Sequence, residues 1–103
     1  MERWRGNPLN TIELSARIAE LGTLRYTPAG VPAAQLVLEH ESEQLEAGSP
    51  RTVGLSIKAR AFGTVAEQLA RSDLSQQFRF RGFLASARTS KSIVFHIQEF
   101  ILF

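Results

Sequence analysis

Cysteine is absent from the 103 residues, which removes a disulfide framework, thiolate metal sites and thiol nucleophiles together. Redox chemistry at sulfur is excluded, and the composition suits a reducing, cytosolic setting. No apolar run approaches the length that spans a bilayer, and the opening Met1-Glu2-Arg3-Trp4-Arg5-Gly6-Asn7-Pro8 lacks the apolar core of a signal peptide. A soluble protein of the cytoplasm, without a membrane partner, is expected. The two histidines, His40 and His96, have no second histidine or cysteine at ligand spacing, so no metal site is expected. There is no Gly-rich phosphate loop, and Ser15, Ser56, Ser86 and Ser92 sit in no nucleophile-elbow context. No cofactor and no catalytic residue are therefore expected, and the chain reads as a non-enzyme. A strong charge of one sign is missing too: the net is +2, too small to argue for a partner.

The charges that are present are unevenly placed. Glu39, Glu41, Glu43 and Glu46 form an acidic cluster, whereas from Ala47 onward eight basic residues stand against three acidic ones. Ten of the twelve basic residues are arginine, the side chain whose planar fork grips phosphate and stacks on bases. That bias tilts the reading slightly towards an anionic partner.

With 44% apolar residues the chain fits one small globular domain. Residues 1–9 are polar and read as a flexible lead-in, with Trp4 its one oddity, and the domain is expected over 10–103. From Asn10 the pattern alternates with period two, Ile12, Leu14, Ala16 and Ile18 on one face, the mark of a half-buried strand that continues past Gly22 towards Tyr26. Thr27-Pro28-Ala29-Gly30 reads as a tight hairpin turn, since Pro28 presets φ and Gly30 tolerates positive φ; Pro32, lacking a donor, fits the start of the next strand. That second strand is expected over Ala33–Glu41, followed by a polar connection over Ser42–Pro50 that holds the acidic cluster. A third strand, Arg51–Ala61, has Lys58 and Arg60 on its polar face. The period then changes to three and four at Phe62, Val65, Ala66, Leu69 and Ala70, which predicts a short helix. A fourth strand over Gln77–Ala87, a polar tip at Arg88-Thr89-Ser90-Lys91 and a last strand over Ser92–Leu102 complete the chain. Phe62, Phe78, Phe80, Phe95 and Phe100 read as core or dimer interface, and Phe83, on the arginine face, as the exception. Gly82 inside a strand predicts a bend or bulge.

Three strands, one short helix and two strands make an all-β chain with the layout of the OB-fold, a five-stranded Greek-key barrel whose middle strands and loops bind oligonucleotides or oligosaccharides. A catalytic barrel would need paired carboxylates on its concave face, which the strand pattern does not supply.

Leu24-Arg25, Thr27 to Pro32, Gln35-Leu36-Val37-Leu38-Glu39-His40, Glu46-Ala47-Gly48 and Arg81-Gly82-Phe83-Leu84 resemble the bacterial single-stranded DNA-binding proteins of OB-fold type, and the Leu-Glu-His close of the second strand resembles their primosomal branch. The resemblance covers Asn10 to Phe103. It implies a homodimeric, nucleoid-associated accessory of replication restart that binds single-stranded DNA and bridges to the primosomal helicase and other primosome proteins. By position it implies DNA contacts at Arg25 and Tyr26 in the first hairpin, at Lys58 and Arg60, and at Arg88 and Lys91 in the last loop. Arg79, Arg81 and Phe83, one strand over, join the candidates.

Two departures bear on binding. Gly54 stands where the family pattern has a base-stacking tryptophan, and Glu41 stands where an arginine follows Glu-His. Stacking contributes about 1–3 kcal/mol per base, so weaker DNA binding is expected unless Tyr26, Phe83 or Trp4 compensates. A protein-interaction adaptor with weak DNA contact is the alternative these departures favour.

Overall fold

The computed structural model describes residues 6–103; the Trp4 oddity lies outside the described residues. The elements run β1 (Ile12–Leu21), β2 (Arg25–Tyr26), β3 (Pro32–Glu46), β4 (Ser49–Phe62), α1 (Thr64–Ala70), β5 (Gln77–Ser86) and β6 (Ile93–Leu102). The sheet order is β1-β5-β6-β4-β3-β2, and a further β1–β3 pairing closes the five long strands into a barrel.

Closure is achieved by β1 serving two partners. Ile12–Arg17 pair with β5 and Arg17–Leu21 with β3, and the register slips between Ile18 and Glu20, so β1 bends across the corner. Alternation then fills the barrel from each of the five long strands: Ala16, Ile18, Ala34, Leu36, Leu38, Ala59, Ala61, Phe78, Phe80, Phe95 and Ile97 form one buried cluster. Ala66 and Leu69 of α1 are fully buried in the same cluster, which explains the period change read in the sequence.

The Thr27–Gly30 turn forms as its residues require. Gly30 donates to the Thr27 carbonyl at 2.8 Å with φ at +84°, and the Val31 amide donates to the Thr27 hydroxyl at 3.1 Å. Pro32 opens β3, and its carbonyl accepts from Gly63 at 2.8 Å. The first strand, however, stops at Leu21, where Gly22 donates to the Gln35 carbonyl; Arg25–Tyr26 is a separate two-residue strand on β3.

The connection expected over Ser42–Pro50 is instead strand. β3 and β4 pair continuously from Ala33↔Phe62 to Glu46↔Ser49, turning on Ala47 and Gly48, both at positive φ. Two left-handed residues make the short turn whose twist matches a hairpin. Polar residues of low strand propensity concealed it, because this outer half of the hairpin projects beyond the barrel and need not be apolar. Pro50 is tolerated there because β6 pairs β4 only at Ala59–Ala61, which leaves its outer half an edge. The acidic cluster therefore lies on a strand and not in a loop. Phe62, expected to open the helix and to lie in the core or an interface, ends β4 and is 42% exposed.

His40, at the close of the Leu-Glu-His motif, extends the β1–β3 contact beyond the ladder. Its Nδ1 donates to the Ser15 carbonyl at 2.6 Å, since a carbonyl only accepts, and its Nε2 shares a hydrogen bond with the Ser42 hydroxyl at 2.7 Å.

Gly82 marks the second corner. The β5–β6 register shifts between Arg81 and Gly82, and a Cβ at Gly82 would lie 1.8 Å from the His96 carbonyl oxygen. Gly82→Ala is expected to destabilise by about 3 kcal/mol, the upper range for overpacking, measured by urea denaturation. Stability within 0.5 kcal/mol of the parent, roughly the surface-substitution range, would contradict this close approach.

Candidate nucleic-acid interface

Cross-strand partners share a sheet face, so the registers assign the outer surface residue by residue. On β4, Phe62, Arg60, Lys58, Ser56 and Gly54 alternate with the buried Ala61 and Ala59 and point outward. Their β3 partners are Ala33, Gln35, Val37, Glu39 and Glu41, respectively. The hairpin's outer face is thus polar in charge. Its barrel end is basic and aromatic up to Glu39, which β1 still pairs through Arg17, and its projecting end carries Glu41 and Glu43.

Arg17 forms an ion pair with Glu39, and Arg51 with Glu46 at 2.8 Å; among the described residues Glu41 and Glu43 have no ion-pair partner. The projecting end therefore repels an anion. At the barrel end, Lys58 and Arg60 line a groove of about 360 Å³ with Gln35, Glu20, Thr89 and Ser90. Thr89 and Ser90 belong to the β5–β6 loop, so the loop that carries Arg88 and Lys91 borders the groove, while those two residues are not themselves part of its lining. Among the described residues a single carboxylate, Glu20, lines the groove with Lys58 and Arg60.

Phe83 reaches the same surface by another route. Across β4, β6 and β5 the register aligns Arg60 with His96 and His96 with Phe83. The imidazole lies flat on the Phe83 ring, with centroids 4.9 Å apart and planes 5° from parallel. On its other side is Phe62, 6.2 Å away at 19°. Three rings thus form one row, with a guanidinium beside the middle one. Burial, and then the nearby Arg60 charge, hold His96 below its ordinary pKa of 6.5.

The remaining candidates separate. Arg25 pairs with Ala33, which pairs in turn with Phe62, so it shares the outer face of the ring row, two strands away. Tyr26, 62% exposed, alternates to the opposite side of β2 at the sheet edge. Arg79 and Arg81 lie on the β1–β5–β6 sheet outside the groove. Arg81 is opposite Glu13 and is 3.5 Å from Glu99, while Arg79 lies over the Phe103 ring at 5.8 Å. Their charges are locally engaged, which period-two reading could not reveal because it does not give strand order. The residues missed were Phe62 and His96. Continuing the Lys58, Arg60 alternation by one step would have placed Phe62 on this face.

Among the described residues no group of three or more metal-binding side chains occurs, and among them no helix is long and apolar enough to cross a membrane.

Residues 10–99 match the family described as "another single-strand binding protein family". The replication restart protein PriB of Bordetella pertussis is 50% identical over 92 residues, 88% of this chain and 86% of that one. The structure of PriB from Ralstonia solanacearum superposes with a TM-score of 0.83 at 36% identity, covering 92% of this chain and 98% of that one. The single-stranded DNA binding protein from Thermus aquaticus superposes at 0.72 with 22% identity, over 92% of this chain and 50% of that one, which shows the shared OB-fold.

The folded His96 binds a proton less readily than the unfolded one, so stability is complete above about pH 6.5 and is lost as pH falls through the lowered folded value. Chemical denaturation across pH 5–8 is expected to show this rise with pH in the parent and its loss in His96→Phe. Identical profiles would contradict the assignment.

Proposed function

The chain belongs to this single-strand binding protein family, among its PriB replication restart members, and on that premise we propose that it binds single-stranded DNA during replication restart. The observation that carries the reading is that Lys58 and Arg60 line a groove bordered by Thr89 and Ser90 of the loop that also carries Arg88 and Lys91. Arginine and lysine flanking an open channel hold a phosphate backbone without regard to sequence, and counterion release supplies the affinity. Nothing in the groove demands a particular base. The role is that of a non-enzymatic accessory acting as a homodimer in the cytoplasm at the nucleoid, bridging DNA to the primosomal helicase. Lys58, Arg60, Arg88 and Lys91 are its principal DNA contacts and Arg25 a flanking one, with Arg79 and Arg81 peripheral.

One observation favours an adaptor function with weak DNA contact. Glu41 lies directly opposite Gly54 on the outer face of the hairpin, so the site of the family's stacking ring is empty and faces a carboxylate. The projecting end is then available to a protein partner while the barrel end holds DNA.

Titration of a fluorescent oligo-dT by anisotropy at several salt concentrations tests the reading. Affinity is expected to fall with salt, with a logarithmic slope of about −0.7 per phosphate contact. Combined reversal of Lys58, Arg60 and Arg88 to glutamate is expected to weaken binding at least tenfold, about 1.4 kcal/mol. Absence of binding at low salt, or indifference to the reversal, would refute it.

A further inference from the structure

We propose that Glu20 is a counter-charge built into the groove, holding the grip on a DNA strand below what Lys58 and Arg60 alone would give. The inference rests on the single-stranded DNA reading above and names the residue that limits that binding.

Glu20 reaches the groove through a change of strand phase. Counted in twos from the buried Ala16 and Ile18, strict alternation would carry Glu20 into the barrel, where an unpaired carboxylate is costly. The ladder prevents this. Ile18 pairs with Leu38 and Glu20 with Val37, so Ala19 has no partner on β3 and is the extra residue of a bulge. Leu21, opposite Leu36, takes the inward phase and packs on the core, and Glu20 turns outward. There Val37 lies between it and Lys58, which is the partner of Val37 on β4. The two charges are thus two strands apart on one face, about 10 Å in backbone terms.

At that spacing they share the groove without forming an ion pair. Among the described residues the ion pairs are Arg17–Glu39, Arg51–Glu46 and Arg81–Glu99, and none of them engages Glu20, Lys58 or Arg60. The charged lining of the groove is therefore one carboxylate against two cations. A phosphate drawn to Lys58 and Arg60 comes within about a Debye length of the carboxylate, roughly 10 Å at 0.1 M salt. It is repelled there, while the cations remain free to take it. The strand is held, but less tightly than the arginine and lysine could hold it.

Glu20→Gln keeps the shape of the side chain and its reach for hydrogen bonds and removes only the charge. In titrations of fluorescent oligo-dT at about 0.1 M salt, E20Q is expected to bind about 2- to 5-fold tighter than the parent, the range for one pair of exposed charges. That gain shrinks as salt rises. Glu43→Gln makes the same change of net charge six residues along β3 from Val37, about 20 Å away, and is expected to bind like the parent. If E20Q binds no tighter than E43Q, binds more weakly because a base donates to the carboxylate, or keeps its gain undiminished at high salt, the counter-charge is refuted while the groove reading stands. If the parent itself does not bind oligo-dT at low salt, the DNA reading fails and this inference with it.

Discussion

The surface of this protein depends on one close approach, the passage of the β6 backbone over Gly82. A Cβ there would lie 1.8 Å from the His96 carbonyl oxygen, so the two strands can meet at this distance only because the residue has no side chain. The register shift at the same point turns the strands around the barrel corner and brings His96 flat against Phe83. His96 in turn lies beside Arg60 through the parallel β4–β6 pairing. One missing side chain thus aligns three strands so that their outward residues form a single row.

The second organising feature is the separation of charge along the β3–β4 hairpin. Within one continuous ladder the barrel end presents Lys58 and Arg60, and the projecting end presents Glu41 and Glu43. Exposed charges interact weakly and are screened by salt, so this arrangement does little for stability. Its consequence is directional: an anionic strand is drawn to the barrel and turned away from the hairpin tip.

Much of this was legible in the sequence, because alternation reports which residues share a face and glycine and proline mark turns with few exceptions. The turn at Thr27–Gly30, the bulge at Gly82, the inward Phe78, Phe80 and Phe95, and the short helix after β4 all followed from those rules. The hairpin beyond Glu41 did not. Glu43, Gln44 and Pro50 resemble a loop when read locally, and only the pairing partner and the Ala47-Gly48 turn make them strand. The site divided in the same way. Lys58 and Arg60 were found as an alternating pair, but Arg79 and Arg81 carried the same pattern and lie between other partners, and Phe62 was hidden by the adjacent change of period. Strand order separates these cases, and local pattern does not contain it.

Backbone amide shift mapping during titration with oligo-dT tests the central claim most directly. The account predicts perturbations gathered at Arg25, Lys58, Arg60, Phe62, Phe83, His96 and residues 88–91, with Arg79, Arg81 and the hairpin from Glu41 to Thr52 unmoved. Perturbations centred on the Arg79–Arg81 sheet or on the hairpin tip would contradict it.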